Sequence, residues 1–239
     1  LQVGGFEKVF EIGRNFRNEG MDRKHNPEFT SIELYQAYSD CRGMMEIIES
    51  MIVHIAQKLF GTLKFRAANG HDIDLTPHWR IAPYNELIEE KMGKDWFSKT
   101  REEMLAAAEQ LEVFIPEGAD KDVITHEIYD KCIEGDLIQP TFVTRLPAFL
   151  VPLAKRCTDD SNLVDVYELI INGQEMSPGY TELNDPDDQR ARFDAQLIGR
   201  DDQEHALVGA ALMQLAGGVQ VAGADLERGG DAQVARQGV

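Results

Sequence analysis

The sequence is poor in positive charge and in cysteine, and it has no long apolar run. Its 239 residues include 42 Asp and Glu against 24 Lys and Arg, which gives a net charge of -18. This balance argues against unspecific binding to nucleic acid or to anionic lipid, so any polyanionic ligand needs a local basic patch. No stretch has the length of a membrane span or the pattern of a signal peptide. The scattered Cys41, Cys132 and Cys157 indicate free cytoplasmic thiols rather than a disulfide framework or a metal site.

The apolar pattern predicts an α+β fold in which an antiparallel β-sheet is flanked by helices. Residues 9–16 and 29–38 alternate apolar and polar side chains, as half-buried strands do, and residues 41–60 carry an apolar helical stripe that Gly61 closes. Asn69-Gly70 and Asn172-Gly173 are tight-turn signals, each expected to join two strands. Further helices are predicted near residues 83–92, 100–111, 120–134 and 187–197.

The loop between the first two predicted strands carries an unusual set of polar groups. Arg17 stands at the end of a strand, where its planar guanidinium can bind a phosphate or a carboxylate. The loop adds Glu19, Arg23, Lys24, His25 and Asn26, and Phe29 follows where the second strand begins. These groups suit a polyphosphate and a stacked purine. The alternative is a solvated hairpin loop with Phe29 in the core.

A second set of polar residues lies in "YELIINGQEMSPGYTELND", where Glu168, Glu175 and Glu182 are each seven residues apart. A hairpin turn at Asn172-Gly173 is expected to place Glu168 opposite Glu175. Two opposed carboxylates repel each other unless a cation lies between them, and Mg²⁺ bridging substrate phosphates would supply one. The alternative is that all three side chains point to solvent.

Three stretches, taken in order, resemble the catalytic domain of class II aminoacyl-tRNA synthetases in its lysine-type form. They are "RNFRNEG" with "HNPEFT" and "ELYQAYSD", then "QPTFVTRLPAFLVPLAKR", then "INGQE" with "GYTELNDPDDQRARF". The resemblance covers residues 3–196. It implies a class II synthetase-like core that uses ATP and Mg²⁺ to convert lysine to lysyl-adenylate and transfers lysine to tRNA(Lys). It also implies a homodimer in the full-length enzyme.

The resemblance also implies residue roles. Arg17 would contact the α-phosphate of ATP and the carboxylate of lysine, and Mg²⁺ would be held by Glu168 and Glu175. Tyr180 stands at a position where the family has Phe or Tyr, while Pro178 replaces an Asn of bacterial relatives and removes one contact to the lysine carboxylate. The resemblance further implies that adenine and the outer phosphates are contacted by Glu19, His25, Asn26 and Phe29. Glu33 would contact the α-amino group of lysine. Tyr35 and Glu182 would contact its ε-ammonium group.

The sequence predicts two parts, a partial class II catalytic domain over residues 1–198 and an atypical Ala/Gly/Val-rich tail over residues 199–239. The tail is expected to be foreign, misread or poorly ordered. Neither an anticodon-binding domain nor the first motif of the class is visible. The third is matched weakly by "GADLERGG", where Asp225 replaces a small residue before Arg228. We therefore expect this chain to bind ATP weakly and to show no lysine-dependent pyrophosphate exchange.

Other functions stay open at this point. The same scaffold could serve a relative that passes lysine to a protein, or an enzyme of aspartate or asparagine type, although an aspartate pocket would need a basic residue where Glu182 stands. A non-catalytic binding module derived from a synthetase is the alternative from a different class.

Overall fold

The computed structural model of the chain describes residues 1–18, 20–21, 25–197 and 220–224. The strands are β1 (Lys8–Phe16), β2 (Glu28–Ala37), β3 (Lys64–Arg66), β4 (Asp72–Asp74), β5 (Arg80–Pro83), β6 (Thr141–Thr144), β7 (Val166–Ile171), β8 (Gln174–Thr181) and β9 (Gln220–Ala224). The helices are α1 (Cys41–Phe60), α2 (Tyr84–Met92), α3 (Arg101–Gln110), α4 (Lys121–Cys132) and α5 (Pro186–Leu197). Every predicted helix is present, so the α+β class is confirmed.

A seven-stranded sheet forms the centre of the fold, in the order β1-β2-β9-β8-β7-β6-β5. The pairs β1–β2, β6–β7 and β7–β8 are antiparallel, as predicted. The sheet is nevertheless mixed, because β5 runs parallel to β6 and β9 runs parallel to both of its neighbours. The turn at Asn69-Gly70 joins β3 and β4 into a separate two-stranded sheet, as its sequence predicted.

Each face of the large sheet packs against a different group of helices. Val166 and Ile170 of β7 face α2, α3 and α4, in a cluster that includes the buried Trp96 and Ile124. The alternate β7 residues Tyr167 and Leu169 face α1. Because successive side chains of a strand point to opposite faces, one short strand serves two apolar cores, and β7 is buried on both sides.

Helix α1 has the boundaries that its sequence predicted. The Asp40 side chain accepts a hydrogen bond from the Gly43 N–H at 2.9 Å, which caps the first turn. Gly61 ends the helix in the left-handed conformation, with φ of 68°. The predicted apolar stripe packs on the sheet through Met44 and Ile48. No helix within the described ranges is both long enough and apolar enough to cross a membrane.

Most of the predicted tail lies outside the described residues. Its described part, β9, is inserted between β2 and β8, so a segment of the predicted tail contributes a strand to the sheet. The division of the chain at residue 198 stays a prediction.

Candidate active site

The nucleotide end of the candidate site lies at the open end of the β1–β2 hairpin. The backbone N–H of Arg17 donates to the Pro27 carbonyl at 2.9 Å, which extends the pairing of the strands by one step. The Arg17 guanidinium carbon lies 5.3 Å from the centre of the Phe29 ring, within cation–π distance. The structure therefore brings together the two residues predicted for phosphate and purine binding. A purine stacking on this face of the ring would have to displace the guanidinium.

The loop that follows contributes exposed polar groups. His25 and Asn26 are both exposed, in a position to meet a ligand that approaches from solvent. Glu19, which the resemblance assigned to ATP, lies outside the described residues, as do Arg23, Lys24 and Arg228.

The predicted lysine-binding residues lie near one another at the centre of the sheet. Tyr35 of β2 and Tyr180 of β8 are both in register with Ala222 of β9, so the two tyrosines occupy one row with a small residue between them. Burial raises the pKa of both tyrosines, and the nearby carboxylates of Glu33 and Glu182 raise it further. Glu33 and Glu182 each lie two residues along the chain from one of these tyrosines, so strand alternation places all four side chains on one face of the sheet.

Glu182 is the most unusual member of this cluster. It immediately follows β8, and its backbone forms an antiparallel bridge with Ala154. Its Oε2 atom is buried and accepts no hydrogen bond from the described residues. Burial raises the pKa of this carboxyl above its usual range. Because an unpartnered buried carboxylate is costly, a cationic or hydrogen-bonding ligand at this position would stabilise its charged form.

Glu33 lies on β2 directly opposite Glu11 of β1. A cavity of about 340 Å³ opens beside them, and its lining includes Glu11, Glu33 and Tyr35 together with the first residues of the chain, Leu1 to Val3. This cavity combines apolar side chains with two carboxylates and includes Tyr35 of the tyrosine row.

The two predicted metal ligands are close together, but their register differs from the prediction. Glu175 lies opposite Ile170, as a two-residue turn at Asn172-Gly173 requires, and a shift in the β7–β8 pairing between Leu169 and Ile170 places Glu168 opposite Pro178. Counting outwards from Asn172-Gly173 pairs Glu175 with Ile170, so the predicted opposition of Glu168 and Glu175 was wrong even without the bulge. Glu168 and Glu175 therefore share one face as diagonal neighbours and are not directly opposed.

The environment of Glu168 is strongly acidic. Burial raises the pKa of the Glu168 carboxyl well above its usual range, and the charges of Glu175, Glu134 and Asp130 raise it further. Within the described part of the chain, no group of three or more His, Cys, Asp or Glu side chains is arranged to hold a metal ion. Two carboxylates fit Mg²⁺, which commonly takes one or two protein carboxylates and completes its shell with phosphate oxygens and water.

A supporting network behind the site was not anticipated from the sequence. The buried guanidinium of Arg192 on α5 donates to the carbonyls of Pro152 and Ala154 at 3.1 and 2.8 Å, and to Asp188 at 2.6 Å. Asp188 also accepts from Arg156 at 3.2 Å. This network holds the segment that bridges to Glu182. The i, i+4 spacing of Asp188 and Arg192 in the sequence indicates an ion pair on a helix. No sequence signal indicates that Arg192 also binds the backbone carbonyls of Pro152 and Ala154.

Comparison with known proteins agrees with the fold. The family model described as tRNA synthetases class II (D, K and N) matches residues 1–224. The lysine–tRNA ligase of Staphylococcus haemolyticus is 44% identical over 211 residues, which cover 87% of this chain and 42% of the relative. The corresponding enzyme of Synechococcus is 46% identical over 198 residues, covering 82% of this chain and 39% of the relative.

The lysine–tRNA ligase of Thermoanaerobacter pseudethanolicus is similar to the same extent, with 44% identity over 87% of this chain and 42% of the relative. The chain thus spans about two fifths of the length of these curated relatives. Because the family model matches residues 1–224 of the chain, the chain belongs to the class II tRNA synthetases of the aspartate, lysine and asparagine group.

Proposed function

We propose that this chain forms the lysine- and ATP-binding part of a lysine–tRNA ligase, which activates lysine as lysyl-adenylate and transfers it to tRNA(Lys). The observation that carries the proposal is the buried, unpartnered Oε2 atom of Glu182 beside Tyr35 and Tyr180. The names of the relatives and the family supply the reaction. The homodimer and the cytoplasmic location that the family implies belong to the same proposal.

Lysine fits this cluster by charge and by shape. Its ε-ammonium group has three N–H donors and a full positive charge, so it would neutralise Glu182 and give Oε2 a hydrogen-bond partner. The rings of Tyr35 and Tyr180 would pack along its apolar carbon chain, as aromatic side chains do with long aliphatic groups. Glu33, on the same strand as Tyr35, would bind the α-amino group. An aspartate side chain would instead bring a third negative charge beside Glu33 and Glu182.

The first reaction step needs positioning more than proton transfer. An oxygen of the lysine carboxylate attacks the α-phosphorus of ATP, the bond from that phosphorus to the bridging oxygen of the β-phosphate breaks, and pyrophosphate leaves. Arg17 would neutralise charge on the α-phosphate and hold the lysine carboxylate beside it. Such alignment and charge stabilisation can supply most of the rate enhancement of an in-line displacement. His25 and Asn26 would contact the outer phosphates and the adenine, and Phe29 would stack on the base.

Glu168 and Glu175 would hold Mg²⁺, which supplies positive charge to the phosphate oxygens of ATP. Their contribution is two acidic oxygen ligands on one face of the β7–β8 hairpin. The strongly raised pKa of Glu168 supports this role, because a carboxylate buried among other acidic groups gains most from an added cation. Pro178 lies directly opposite Glu168 and adds no side-chain donor there.

The proposal is tested by comparing lysine with norleucine, which has the same carbon chain without the ammonium group. Isothermal titration of the parent chain with both ligands, in the presence of Mg²⁺ and ATP, should show a clear preference for lysine. In Glu182→Gln the ammonium loses its charged partner, so lysine binding should weaken by about 2–5 kcal/mol. Norleucine binding should change little, and the preference should disappear.

Two outcomes would contradict the assignment. Equal lysine affinity in Glu182→Gln and in the parent would show that Glu182 does not bind the ammonium group. A parent chain that binds neither lysine nor ATP would favour the non-catalytic binding module, and tighter binding of aspartate than of lysine would favour the aspartate type.

A further inference from the structure

Thr181 occupies a central place behind the proposed lysine site. It is the last residue of β8 and stands between Tyr180 and Glu182 in the chain. Because side chains alternate along a strand, its hydroxyl lies on the face of the sheet opposite to that of its two neighbours. The residue is only 2% exposed, so this hydroxyl needs partners within the protein.

Both hydrogen-bonding functions of the hydroxyl are satisfied. The backbone N–H of Cys41 donates to Thr181 Oγ1 at 2.9 Å. The hydroxyl in turn donates to the carboxylate of Asp165 through a short hydrogen bond. The backbone adds a second connection to the same residue, since the Thr181 N–H donates to the Asp165 carbonyl at 2.9 Å. Thr181 is therefore fixed through its side chain and its main chain together.

The bond to Cys41 joins two elements that both carry proposed lysine-binding residues. Cys41 is the first residue of α1, which closely follows β2, the strand of Glu33 and Tyr35. Strands β2 and β8 are not hydrogen-bonded to each other, because β9 lies between them. The Thr181 hydroxyl thus links the β2–α1 unit directly to the end of β8.

We propose that Thr181 is a positioning residue, whose hydroxyl sets the distance between the Tyr35 and Glu33 side of the lysine site and the Tyr180 and Glu182 side. The inference rests on the proposed function, because it assumes that these four residues bind lysine. Thr181 itself does not touch the ligand. Its hydroxyl lies on the far side of the sheet and acts through the backbone that it holds.

The decisive variant is Thr181→Val, which keeps the shape of the side chain and removes the hydroxyl. Without the bond to Cys41, the two sides of the site lose their direct link and are joined only through β9 and the packing of α1 on the sheet, so their distance is less closely fixed. Lysine affinity should then fall by about tenfold, since small misplacements of positioned groups have effects of this size or larger. ATP affinity measured without lysine should stay unchanged. Thr181→Ser, which restores the hydroxyl, should recover lysine binding.

Thr125→Val is the matched control. Thr125 is 5% exposed, accepts a hydrogen bond from Trp96 Nε1 at 3.1 Å and donates to the Lys121 carbonyl at 2.7 Å. Thr125 is therefore similarly buried and, like Thr181, accepts one hydrogen bond and donates another, but it lies on α4 beside the other apolar cluster. Thr125→Val should lower the unfolding temperature as Thr181→Val does, but it should leave lysine affinity at the parent value.

The outcomes separate this inference from the proposed function. If the parent binds lysine, Glu182→Gln loses it and Thr181→Val binds as tightly as the parent, the positioning role is wrong and the lysine site stands. Equal losses of lysine affinity in Thr181→Val and Thr125→Val would reduce the effect to general destabilisation and overturn the inference. A parent without affinity for lysine overturns both proposals.

Discussion

The two hairpins that carry the candidate site differ sharply in their surroundings. In β7–β8 the first strand is buried on both faces, and Leu169 and Ile170 are fully shielded from solvent. In β1–β2 the first strand is the edge of the sheet, with Ile12 65% and Phe16 73% exposed. Tyr180 and the proposed metal ligand Glu168 thus lie on the interior hairpin, whereas Tyr35, Arg17 and Phe29 lie on or beside the edge hairpin.

Because the two hairpins differ in exposure, their charged groups also lie in different environments. Near the β7–β8 hairpin, carboxylates are removed from water, and burial raises the pKa of both Glu168 and Glu182. At the edge, Arg14 and Glu28 form an ion pair at 3.5 Å that solvent reaches from both sides. Buried charges need a specific partner, while exposed charges are largely screened. Selectivity for the amino acid should therefore arise at the buried side of the proposed site, where Glu182 lies.

The largest difference between the two regions is expected for arginine substitutions. The side chain of Arg192 is 6% exposed and binds two carbonyls and Asp188, whereas that of Arg14 is 76% exposed. Arg192→Met should lower the free energy of unfolding by about 3 kcal/mol, because it leaves buried acceptors without donors. Arg14→Met should change it by less than about 0.5 kcal/mol. Urea unfolding monitored by circular dichroism measures both, and equal effects would contradict the contrast.

A smaller difference is expected for two glycines. A Cβ atom at Gly179 of β8 would lie 2.5 Å from the Tyr167 ring, while one at Gly13 of β1 would meet only a Glu11 carboxylate oxygen at 3.7 Å. Gly179→Ala should therefore lower the free energy of unfolding by about 2 kcal/mol through overpacking. Gly13→Ala, the control, should stay within about 0.5 kcal/mol of the parent. A neutral Gly179→Ala would mean that Tyr167 can move without loss.

The smallest effect near neutral pH is expected for lysine affinity, which should change as the solution becomes more acidic. Burial raises the pKa of Glu182, so this carboxyl takes up its proton at a higher pH than an exposed glutamate does. Protonation removes the partner of the ammonium group. Lysine affinity should therefore begin to fall above the usual carboxyl pKa of about 4.3 and should drop about tenfold per pH unit below the raised pKa. Titration calorimetry across this range tests the effect, and Glu182→Gln should lack this part of the pH dependence.

Local sequence patterns predicted most of the elements but not their long-range arrangement. The β1–β2 pairing followed from the alternation of apolar and polar residues, and the end of α1 followed from Gly61. Strand β5 was missed, because Arg80–Pro83 is short and its parallel partner β6 lies far along the chain. The predicted pairing of Glu168 with Glu175 was also wrong, because the count from Asn172-Gly173 pairs Glu175 with Ile170 and the bulge beyond it moves Glu168 to Pro178.

For the candidate site, too, local contacts could be predicted from the sequence and long-range contacts could not. The contact of Arg17 with Phe29 follows from the hairpin, which places both residues at one end of paired strands. Neither Thr181 nor Arg192 stood out, because each acts on backbone groups that only the folded chain brings near. Side chains that would touch a ligand carry a chemical signature in the sequence, whereas the residues that support them do not.

The Arg192 network has a consequence for the way in which the native state opens. Arg192 binds the carbonyl of Ala154, and Ala154 forms a backbone bridge with Glu182. Local unfolding of α5 would therefore release the segment that holds Glu182 in place. In terms of native-state hydrogen exchange, α5 and the end of β8 belong to one cooperative unit, and amide protection should be lost from both together. Opening this helix would then also disrupt the proposed lysine site.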